Sequence, residues 1–78
     1  MHIEIITPDT KLYDGDAELV QLPGIDGSFE ILDNHAPLIS VLKEGKIKLV
    51  DAYKKAEYID IKGGVIEVLK NRVLILAE

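Results

Sequence analysis

Four side chains in the middle of the sequence are of the types that hydrolytic enzymes use. Ser28 and Ser40 offer hydroxyl nucleophiles, His35 offers a general base, and Asp33 offers a carboxylate that could orient the histidine. Nearness in sequence does not give the geometry of a catalytic triad, and no strand–turn–helix motif presents either serine. We therefore predict a polar loop here and no catalytic residue.

Two histidines and two closely spaced aspartates are the candidates for a metal site. His2 and His35 are 33 positions apart, so no histidine cluster is encoded locally. Asp14 and Asp16 could supply oxygen ligands to calcium, but the oxygen-rich loop with its bidentate terminal glutamate is missing. The chain has no cysteine, which excludes disulfides and thiolate–metal sites. We expect no metal, and we interpret the two aspartates as solvated loop acids.

Several glycines superficially suggest a phosphate-binding loop. They are Gly24, Gly27 and the pair Gly63-Gly64. The sequence contains neither G-x-x-x-x-G-K-[ST] nor a G-x-G-x-x-G that leads into a helix. We interpret these glycines as turn residues, needed where the backbone φ angle is positive, and we expect no cofactor.

The length and the apolar content bound the class of protein. Seventy-eight residues predict a single domain, residues 1–78, with one core. Hydrophobic residues make up 47% of the chain, and isoleucine, leucine and valine alone supply 27 residues. Doubled apolar positions such as Leu49-Val50 and residues 73–76 break strict alternation, so parts of the outer face are also predicted to be apolar. A domain this thin is expected to leave apolar surface exposed, and such surfaces usually mark interaction sites.

The charge excludes one class of partner. The net charge is −5, and residues 1–40 carry eight acids against one base, Lys11. Nucleic acid would find no basic face in this half of the chain, so we do not predict it as a partner. No stretch approaches the roughly 18 apolar residues that a membrane span needs, and the N-terminus lacks the pattern of a signal peptide.

The spacing of apolar residues predicts strands rather than helices. Apolar residues recur at every second position in short runs, and Gly, Pro, Asn or Asp interrupts these runs every few residues. The chain leaves no room for the crossover helices of a parallel sheet, so the pattern predicts an all-β antiparallel sandwich or barrel. The predicted strands cover residues 2–7, 18–23, 28–32, 38–42, 47–50, 57–62, 65–69 and 73–77, with a hairpin turn at 24–27, breaks at 44–45, 63–64 and 70–71, and a charged hairpin tip at 53–56.

Residues 22–42, LPGIDGSFEILDNHAPLISVL, are the most informative part of the chain. Pro23-Gly24 and Asp26-Gly27 are expected to tighten the hairpin turn. Phe29 is the only phenylalanine, and we expect it to anchor the core.

The same segment contains the second histidine of the chain. Pro37 disfavours helix at Ala36, which predicts an irregular loop around His35. Two compatible interpretations of His35 follow. Its imidazole could bond a backbone group and fix the turn, or it could contact a partner.

This segment resembles the hallmark of the epsilon subunit of F-type ATP synthases, called delta in mitochondria, which reads LPG-x-x-G-x-F/L-G-I-L-x-x-H-A-P-L-L. The similarity extends across nearly all 78 residues and includes the family's "V-x-x-P", "L-K-x-G" and "G-G-x-x-E-V-x-x-N-x-V-x-V-L-A" patterns. The positions that carry it are Ile3 to Pro8, Leu22-Pro23-Gly24, Gly27-Ser28-Phe29, Ile31-Leu32, Asn34 to Leu38, Leu42 to Gly45, Gly63-Gly64, Glu67-Val68, Asn71 and Val73 to Ala77.

The resemblance implies a fold and a role. The fold would be a flattened antiparallel β-sandwich of about ten short strands that grips the foot of the gamma shaft and seats it on the membrane ring of c subunits. It would transmit torque for ion-driven ATP synthesis without being an enzyme and without a cofactor. The resemblance also implies a peripheral location at the cytoplasmic face of a bacterial inner membrane, or its organellar equivalent, reached only through the complex.

The resemblance also implies which residues meet partners. The hairpin of residues 24–30 would approach the polar loops of the c ring, and the region of His35 would face gamma. The family often has an acid or a glycine near positions 28 and 30, so the acidic contact is expected to have shifted to Asp26 or Glu30. The implied partner-binding residues are Gly24, Asp26, Gly27, Ser28, Glu30, His35, Ala36 and Pro37.

Members of this family usually continue past the final strand into a helical hairpin that regulates ATP hydrolysis and in some binds ATP. The sequence ends at Glu78. We expect a naturally short subunit that lacks this hairpin and its nucleotide site, whereas a fragment would carry no such implication.

A carrier domain of lipoyl or biotinyl type is the alternative from a different class. Such domains are also acidic β-sandwiches of about this size, with a modified lysine at a hairpin tip. Lys54 or Lys55 could take that part, although residues 51–56 fit the usual D-K-A or M-K-M context poorly. A carrier would bear a lipoyl or biotinyl increment in its intact mass, and a coupling subunit would not.

Overall fold

The computed structural model describes all of residues 1–78 and consists of seven β-strands joined by turns and loops. The prediction of an all-β fold is confirmed. No helix in the structure has the length and apolar character that crossing a bilayer requires. In chain order the strands are β1 (His2–Ile6), β2 (Lys11–Asp16), β3 (Leu19–Gly24), β4 (Gly27–Leu32), β5 (Leu38–Val50), β6 (Ala56–Leu69) and β7 (Arg72–Ala77).

All seven strands belong to one hydrogen-bonded sheet with the order β2-β1-β7-β6-β5-β3-β4. Neighbouring strands are antiparallel except β1 and β7, which run parallel with His2 opposite Arg72 and Ile6 opposite Leu76. A parallel pair needs a long connection, which is usually a helix. Here the rest of the domain is the connection, because β1 and β7 are the first and last strands of the chain. The sheet is therefore mixed rather than purely antiparallel.

The long strands β5 and β6 form a ribbon that turns over along its length. Leu42 is buried in the first half of β5, whereas Ile47 is buried in the second half. In β6 the buried residues change in the same way, from Ile61 to Ile66. Side chains alternate between the two faces of a strand, so a change of the buried positions between even and odd numbers means that opposite faces meet the core.

This ribbon joins the two layers of the sandwich. The second half of β6 pairs with β7, which continues the sheet to β1 and β2. The second half of β5 pairs with β3, which continues it to β4. The core therefore lies between a layer ending at β2 and a layer ending at β4.

The strand count differs from the predicted one for an identifiable reason. Residues 44–45 and 63–64 were predicted to interrupt the strands, but the pairing of β5 with β6 continues across both positions in one register. Each glycine-containing break is thus a bend inside one long strand, so the eight strands predicted from the spacing become six, and β2 brings the count to seven, below the ten or so that the resemblance implies. The pattern also missed β2, because its sequence KLYDGD has three charged residues and a glycine in place of apolar alternation.

One cluster of 15 buried apolar residues forms the core. Phe29 was predicted to anchor this core, but it is only half-buried and packs against its edge. β-Branched residues dominate instead, as expected for side chains that pack on a pleated surface. The largest fully buried side chains are Ile3, Ile5, Val20, Leu22, Ile31, Ile47, Ile66 and Ile75.

Gly63 and Gly64 allow β6 to bend next to β7. Their φ angles are 149° and 152°, in the region that only glycine occupies without strain. A Cβ atom on Gly64 would overlap the carbonyl oxygen of Leu76, which belongs to the neighbouring strand. Any side chain at Gly64 would therefore have to push β7 away.

We expect Gly64→Ala to lower the free energy of unfolding by about 3 kcal/mol, because backbone strain and overpacking each cost about 1–3 kcal/mol. Denaturant unfolding of the isolated chain measures this change. Gly27→Ala is the matched control, because Gly27 also has a positive φ of 130° but has no atom within 4 Å of an added Cβ. Equal losses in the two variants would show that contact with β7 contributes nothing.

Candidate partner-binding site

The β3–β4 hairpin carries five of the predicted partner-binding residues. Gly24 and Gly27 stand opposite each other across a two-residue turn, and Gly27 has a φ of 130°. Gly24 is buried, and a Cβ there would lie 2.6 Å from the Gly27 carbonyl oxygen and 2.8 Å from the ring of Phe29. The two glycines therefore allow the tight turn to form, and Asp26 is exposed at its tip.

Ser28 and Glu30 are exposed on the outer surface of the hairpin. The Ser28 Oγ accepts a hydrogen bond of 3.1 Å from Gln21 Nε2, and Glu30 stands opposite Gln21 in the register. Neither Asp26 nor Glu30 forms an ion pair within the chain. Both carboxylates are therefore available to a basic surface.

Residues 33–37, between β4 and β5, carry the other three, His35, Ala36 and Pro37, all of them exposed. His35 Nδ1 lies 2.7 Å from the Ala36 carbonyl oxygen. A carbonyl can only accept, so Nδ1 carries the proton in this bond. The His35 backbone N–H donates to the Leu32 carbonyl oxygen at 3.2 Å. The imidazole thus fixes its own turn, as one interpretation of the sequence predicts, and contact with a partner stays a prediction.

The first residues of β5 connect the two predicted partner contacts, the tip of the β3–β4 hairpin and residues 33–37. The Ile25 N–H at the hairpin tip donates to the Val41 carbonyl oxygen at 3.2 Å. Val41 follows Pro37 by four positions, and a strand rises about 3.3 Å per residue, so the loop and the tip are roughly 13 Å apart along β5. The hairpin tip and the His35 segment, which we define as residues 33–37, therefore lie at opposite ends of β4 and are connected again by the first residues of β5.

A largely aliphatic surface begins on the first part of β5 and extends across the neighbouring strands. Val41 stands opposite Val65, Val65 opposite Leu76, and Leu76 opposite Ile6. Opposite residues share a face of the sheet, so one apolar row crosses β5, β6, β7 and β1. Ile39 lies on the same face two residues before Val41 and is 72% exposed, and the exposed Glu67 stands opposite it in β6. We call this surface the apolar face, and its members are Ile6, Ile25, Ile39, Val41, Val65, Leu74 and Leu76.

The sequence signals this surface without assigning its members. Both sides of β7 are apolar, with Val73 and Ile75 buried and Leu74 and Leu76 on the apolar face. The unbroken run at residues 73–76 is the signal of such a two-sided strand. The run alone does not tell which of its residues point outward, because that depends on the pairing with β6 and β1.

A charged cluster adjoins the apolar face at β1 and β2. His2 Nε2 lies 2.9 Å from Asp14 Oδ1, and His2 Nδ1 lies 3.5 Å from Asp16 Oδ1. Lys11 Nζ lies 3.0 Å from Asp14 Oδ2 and 3.5 Å from Glu4 Oε2. Asp14 and Asp16 were interpreted as solvated loop acids; both are indeed exposed, but they lie on β2, beside His2, rather than in a loop. Charges on an edge strand also discourage pairing with another chain.

The ion pair between Lys11 and Asp14 changes the titration of both groups. The hydrogen bond from Lys11 lowers the pKa of Asp14 below its ordinary value of 3.8, against a smaller opposing effect of desolvation and with help from the charges of Lys11 and His2. The same hydrogen bond raises the pKa of Lys11 above its ordinary 10.5. The pair therefore contributes stability between these two ordinary values. That contribution is lost as the pH falls through the lowered pKa of Asp14 or rises through the raised pKa of Lys11.

Comparison with known protein families identifies the domain. The profile described as "ATP synthase, Delta/Epsilon chain, beta-sandwich domain" matches residues 1–78. The chain belongs to this family.

Curated relatives from bacteria support the assignment to the ATP synthase delta/epsilon family. The chain is similar to the ATP synthase epsilon chain of Campylobacter concisus, with 41% identity over 78 residues, covering all of this chain and 60% of that protein. The Caulobacter vibrioides epsilon chain is 37% identical over 78 residues, covering all of this chain and 90% of that protein. The Chlorobium limicola epsilon chain is 38% identical over 76 residues, covering 97% of this chain and 86% of that protein. The chain thus spans 60% of the length of the Campylobacter relative.

Two solved structures contain chains with the same fold. One is in the Euglena gracilis mitochondrial ATP synthase, described as OSCP/F1/c-ring in rotational state 1, with a TM-score of 0.90, 17% identity, and coverage of 96% of this chain and 48% of that chain. The other is in the central stalk/c-ring of the Tetrahymena thermophila mitochondrial ATP synthase, with a TM-score of 0.80, 17% identity, and coverage of 97% and 61%. At this identity the likeness concerns the fold, and it agrees with the β-sandwich of the family.

The lysines of the carrier alternative lie in the β5–β6 loop, residues 51–55. Lys54 has a φ of 64°, and its Nζ lies 3.4 Å from Glu18 Oε1. Asp51 Oδ1 accepts the backbone N–H groups of Tyr53 at 2.9 Å and Lys55 at 3.0 Å. The predicted charged hairpin tip is confirmed, and membership of the ATP synthase family favours the coupling interpretation over the carrier.

We expect Lys11→Ala to raise the pKa of Asp14 towards its ordinary value, because the variant removes the hydrogen bond that is the largest cause of the lowering. An NMR titration of the Asp14 carboxyl carbon measures the change. Lys46→Ala is the control, because Lys46 pairs with Asp60 rather than Asp14. An unchanged Asp14 titration in Lys11→Ala would contradict the assigned ion pair.

Proposed function

We propose that this chain is the coupling domain of a rotary ATP synthase, which binds the foot of the gamma shaft, seats it on the ring of c subunits and transmits torque between them. Residues 1–78 act as one domain in this role. The observation that carries the proposal is the apolar face, an exposed aliphatic surface on a domain of the ATP synthase delta/epsilon family.

The proposed gamma surface consists of the apolar face and the adjoining His35 segment. Five members of the apolar face are between 38% and 72% exposed: Ile25, Ile39, Val41, Val65 and Leu76. Contiguous apolar surface of this kind is uncommon on monomers and usually marks an interface. His35, Ala36 and Pro37 border it, and the His35 imidazole supplies the polar group that interface rims commonly carry.

The proposed c-ring surface is the tip of the β3–β4 hairpin. Asp26 and Glu30 offer carboxylates that no basic group of the chain neutralises, and Ser28 lies between them on the same hairpin. Gly24 and Gly27 shape the turn that presents these groups. A charge pair at such an exposed rim contributes about 1 kcal/mol or less, so it sets register and orientation more than affinity.

Transmission of torque needs a body that does not deform between its two contacts. The chain has 49 backbone–backbone hydrogen bonds, 39 of them within the strand ladders. The hairpin tip and the His35 segment are connected through the same strand, β5. A load applied at one contact therefore reaches the other through a paired strand rather than through a loop.

The solved relatives and the chemistry of the domain support these partners. The two structures with the same fold are described as F1/c-ring and central stalk/c-ring assemblies. The role requires no catalytic residue and no cofactor. The domain would reach the cytoplasmic face of a bacterial membrane, or its organellar equivalent, as a peripheral part of that complex.

We expect Ile39→Lys to weaken binding to the cognate gamma subunit about 10-fold or more, because it removes one apolar anchor and places a charge on the apolar face. Titration calorimetry with purified gamma, supported by co-purification, measures the affinity. Tyr53→Lys is the matched control, because Tyr53 is 85% exposed and lies in the β5–β6 loop, outside the apolar face. Equal affinities of Ile39→Lys and the parent chain would contradict the gamma surface.

We expect the pair of changes Asp26→Asn and Glu30→Gln to lower affinity for the c ring by about 2- to 10-fold, with the difference shrinking at high salt because exposed charges are screened. Binding of the gamma complex to purified c ring at two salt concentrations measures this. Asp9→Asn together with Asp60→Asn serves as the control, because it also removes two exposed negative charges, both outside the hairpin. A loss as large in the control would show that only net charge matters, which would overturn the hairpin assignment.

A further inference from the structure

The His35 segment is held by residues that are distant in sequence. The backbone N–H of Asn34 donates to Asn71 Oδ1 at 2.7 Å, although the two residues are 37 positions apart. Asn71 lies in the turn between β6 and β7, and its carbonyl oxygen accepts the His2 N–H at 3.2 Å. Asn71 therefore connects the His35 segment to the β6–β7 turn and to His2, the first residue of β1.

The backbone of the β6–β7 turn restricts which residues can occupy position 71. Lys70 and Asn71 have φ angles of 51° and 60°, so both central residues of the two-residue turn are left-handed. Turns of this kind favour glycine at the second central position, because glycine adopts positive φ without strain. Asparagine tolerates the same conformation and adds a side-chain acceptor. The acceptor is used here, by Asn34.

The hydrogen bond between the Asn34 N–H and Asn71 Oδ1, which we call the tie, is made where the backbone of the His35 segment turns. Asn34 itself has a φ of 60° and immediately precedes His35. The other bonds of the segment are internal or lie at its start: His35 N–H donates to Leu32, and the N-terminal ammonium meets Asp33 Oδ1 at 2.5 Å. The N-terminal ammonium and the Asn71 amide thus both join the His35 segment to the strands of the apolar face, and the Asn71 bond is the one adjacent to His35.

We propose that Asn71 is the positioning residue of the gamma contact: its side-chain oxygen holds Asn34, and thereby His35, at a fixed place beside the apolar face. This inference rests on the proposed function, because it assigns Asn71 a part in gamma binding without contact between Asn71 and gamma. A His35 segment released from this tie would have to be ordered on binding, which costs affinity.

The test uses two variants of Asn71 that separate its backbone from its side chain. Asn71→Gly keeps the positive φ and removes the acceptor, whereas Asn71→Asp keeps an acceptor oxygen and tolerates the same φ. Lys54→Gly is the matched control, because Lys54 also has a positive φ of 64° but lies in the β5–β6 loop. Each variant is measured for the hydrogen exchange of the Asn34 amide by NMR and for gamma binding by calorimetry.

We expect the Asn34 amide to exchange faster in Asn71→Gly, and gamma affinity to fall about 2- to 10-fold, the range that corresponds to one net hydrogen bond. Asn71→Asp should keep both properties within about 2-fold of the parent chain, because an acceptor remains. Lys54→Gly should change neither. The melting temperatures of Asn71→Gly and Lys54→Gly should be similar, which separates positioning from a general loss of stability.

A double-mutant cycle with His35→Ala tests whether Asn71 acts through the histidine. If Asn71 positions His35, Asn71→Gly should cost little further affinity once His35 is replaced, because coupled residues are not additive. Equal costs in the two backgrounds, or an unchanged Asn34 exchange rate in Asn71→Gly, would overturn the inference. Absence of gamma binding by the parent chain would instead remove the proposed function, while the exchange rate would still report on the tie.

Discussion

The ribbon formed by β5 and β6 is the constraint on which the rest of the structure depends. These two strands pair in one register from end to end, yet they bury opposite faces in their two halves. The ribbon can therefore contribute to both layers, to β7 on one side and to β3 on the other. Without this change of face, a chain of 78 residues would form an open sheet with one side exposed, which is marginal for a small domain.

This arrangement requires glycine at the bend in β6. Gly63 and Gly64 adopt φ angles that other residues reach only with strain, and the Gly64 Cα lies close against the backbone of β7. The core on either side is made of aliphatic residues, with no buried polar or charged side chain among them. Since such a core holds no polar group that needs a specific partner, its specificity comes from strand register and side-chain shape.

The same ribbon positions the surface that we assign to partners. β5 leads from the His35 segment past Ile39 and Val41 to the hairpin tip at Ile25, and β6 adds Val65 beside Val41. The apolar surface and the two polar contacts are therefore connected through one paired strand. The charged residues of β1 and β2 border this surface and protect an edge strand from pairing with another chain.

The strands, the β3–β4 turn and the family could be predicted from the sequence, because they depend on residues that are close together in the chain. Period-two alternation predicts strands, glycine and proline predict the β3–β4 turn, and residues 22–42 carry a family pattern long enough to indicate the ATP synthase epsilon type. The excess of aliphatic residues predicts an exposed apolar face. The hydrogen bond of His35 to its own loop was also within reach, since it joins adjacent residues.

The rest was decided by contacts between strands that are distant in sequence. The parallel pairing of β1 with β7, the recruitment of β2 with its Asp14 and Asp16, and the half-buried place of Phe29 follow from which strands become neighbours. Alternation shows that Leu74 and Ile75 point in opposite directions, but not which of them faces the core. The sequence by itself therefore determined the class of fold and the family, because both are indicated by patterns among residues that are close together in the chain. Only the tertiary structure decided the register, the membership of the apolar face and the tie between Asn71 and Asn34, because the energy of these contacts exists only once the strands are paired.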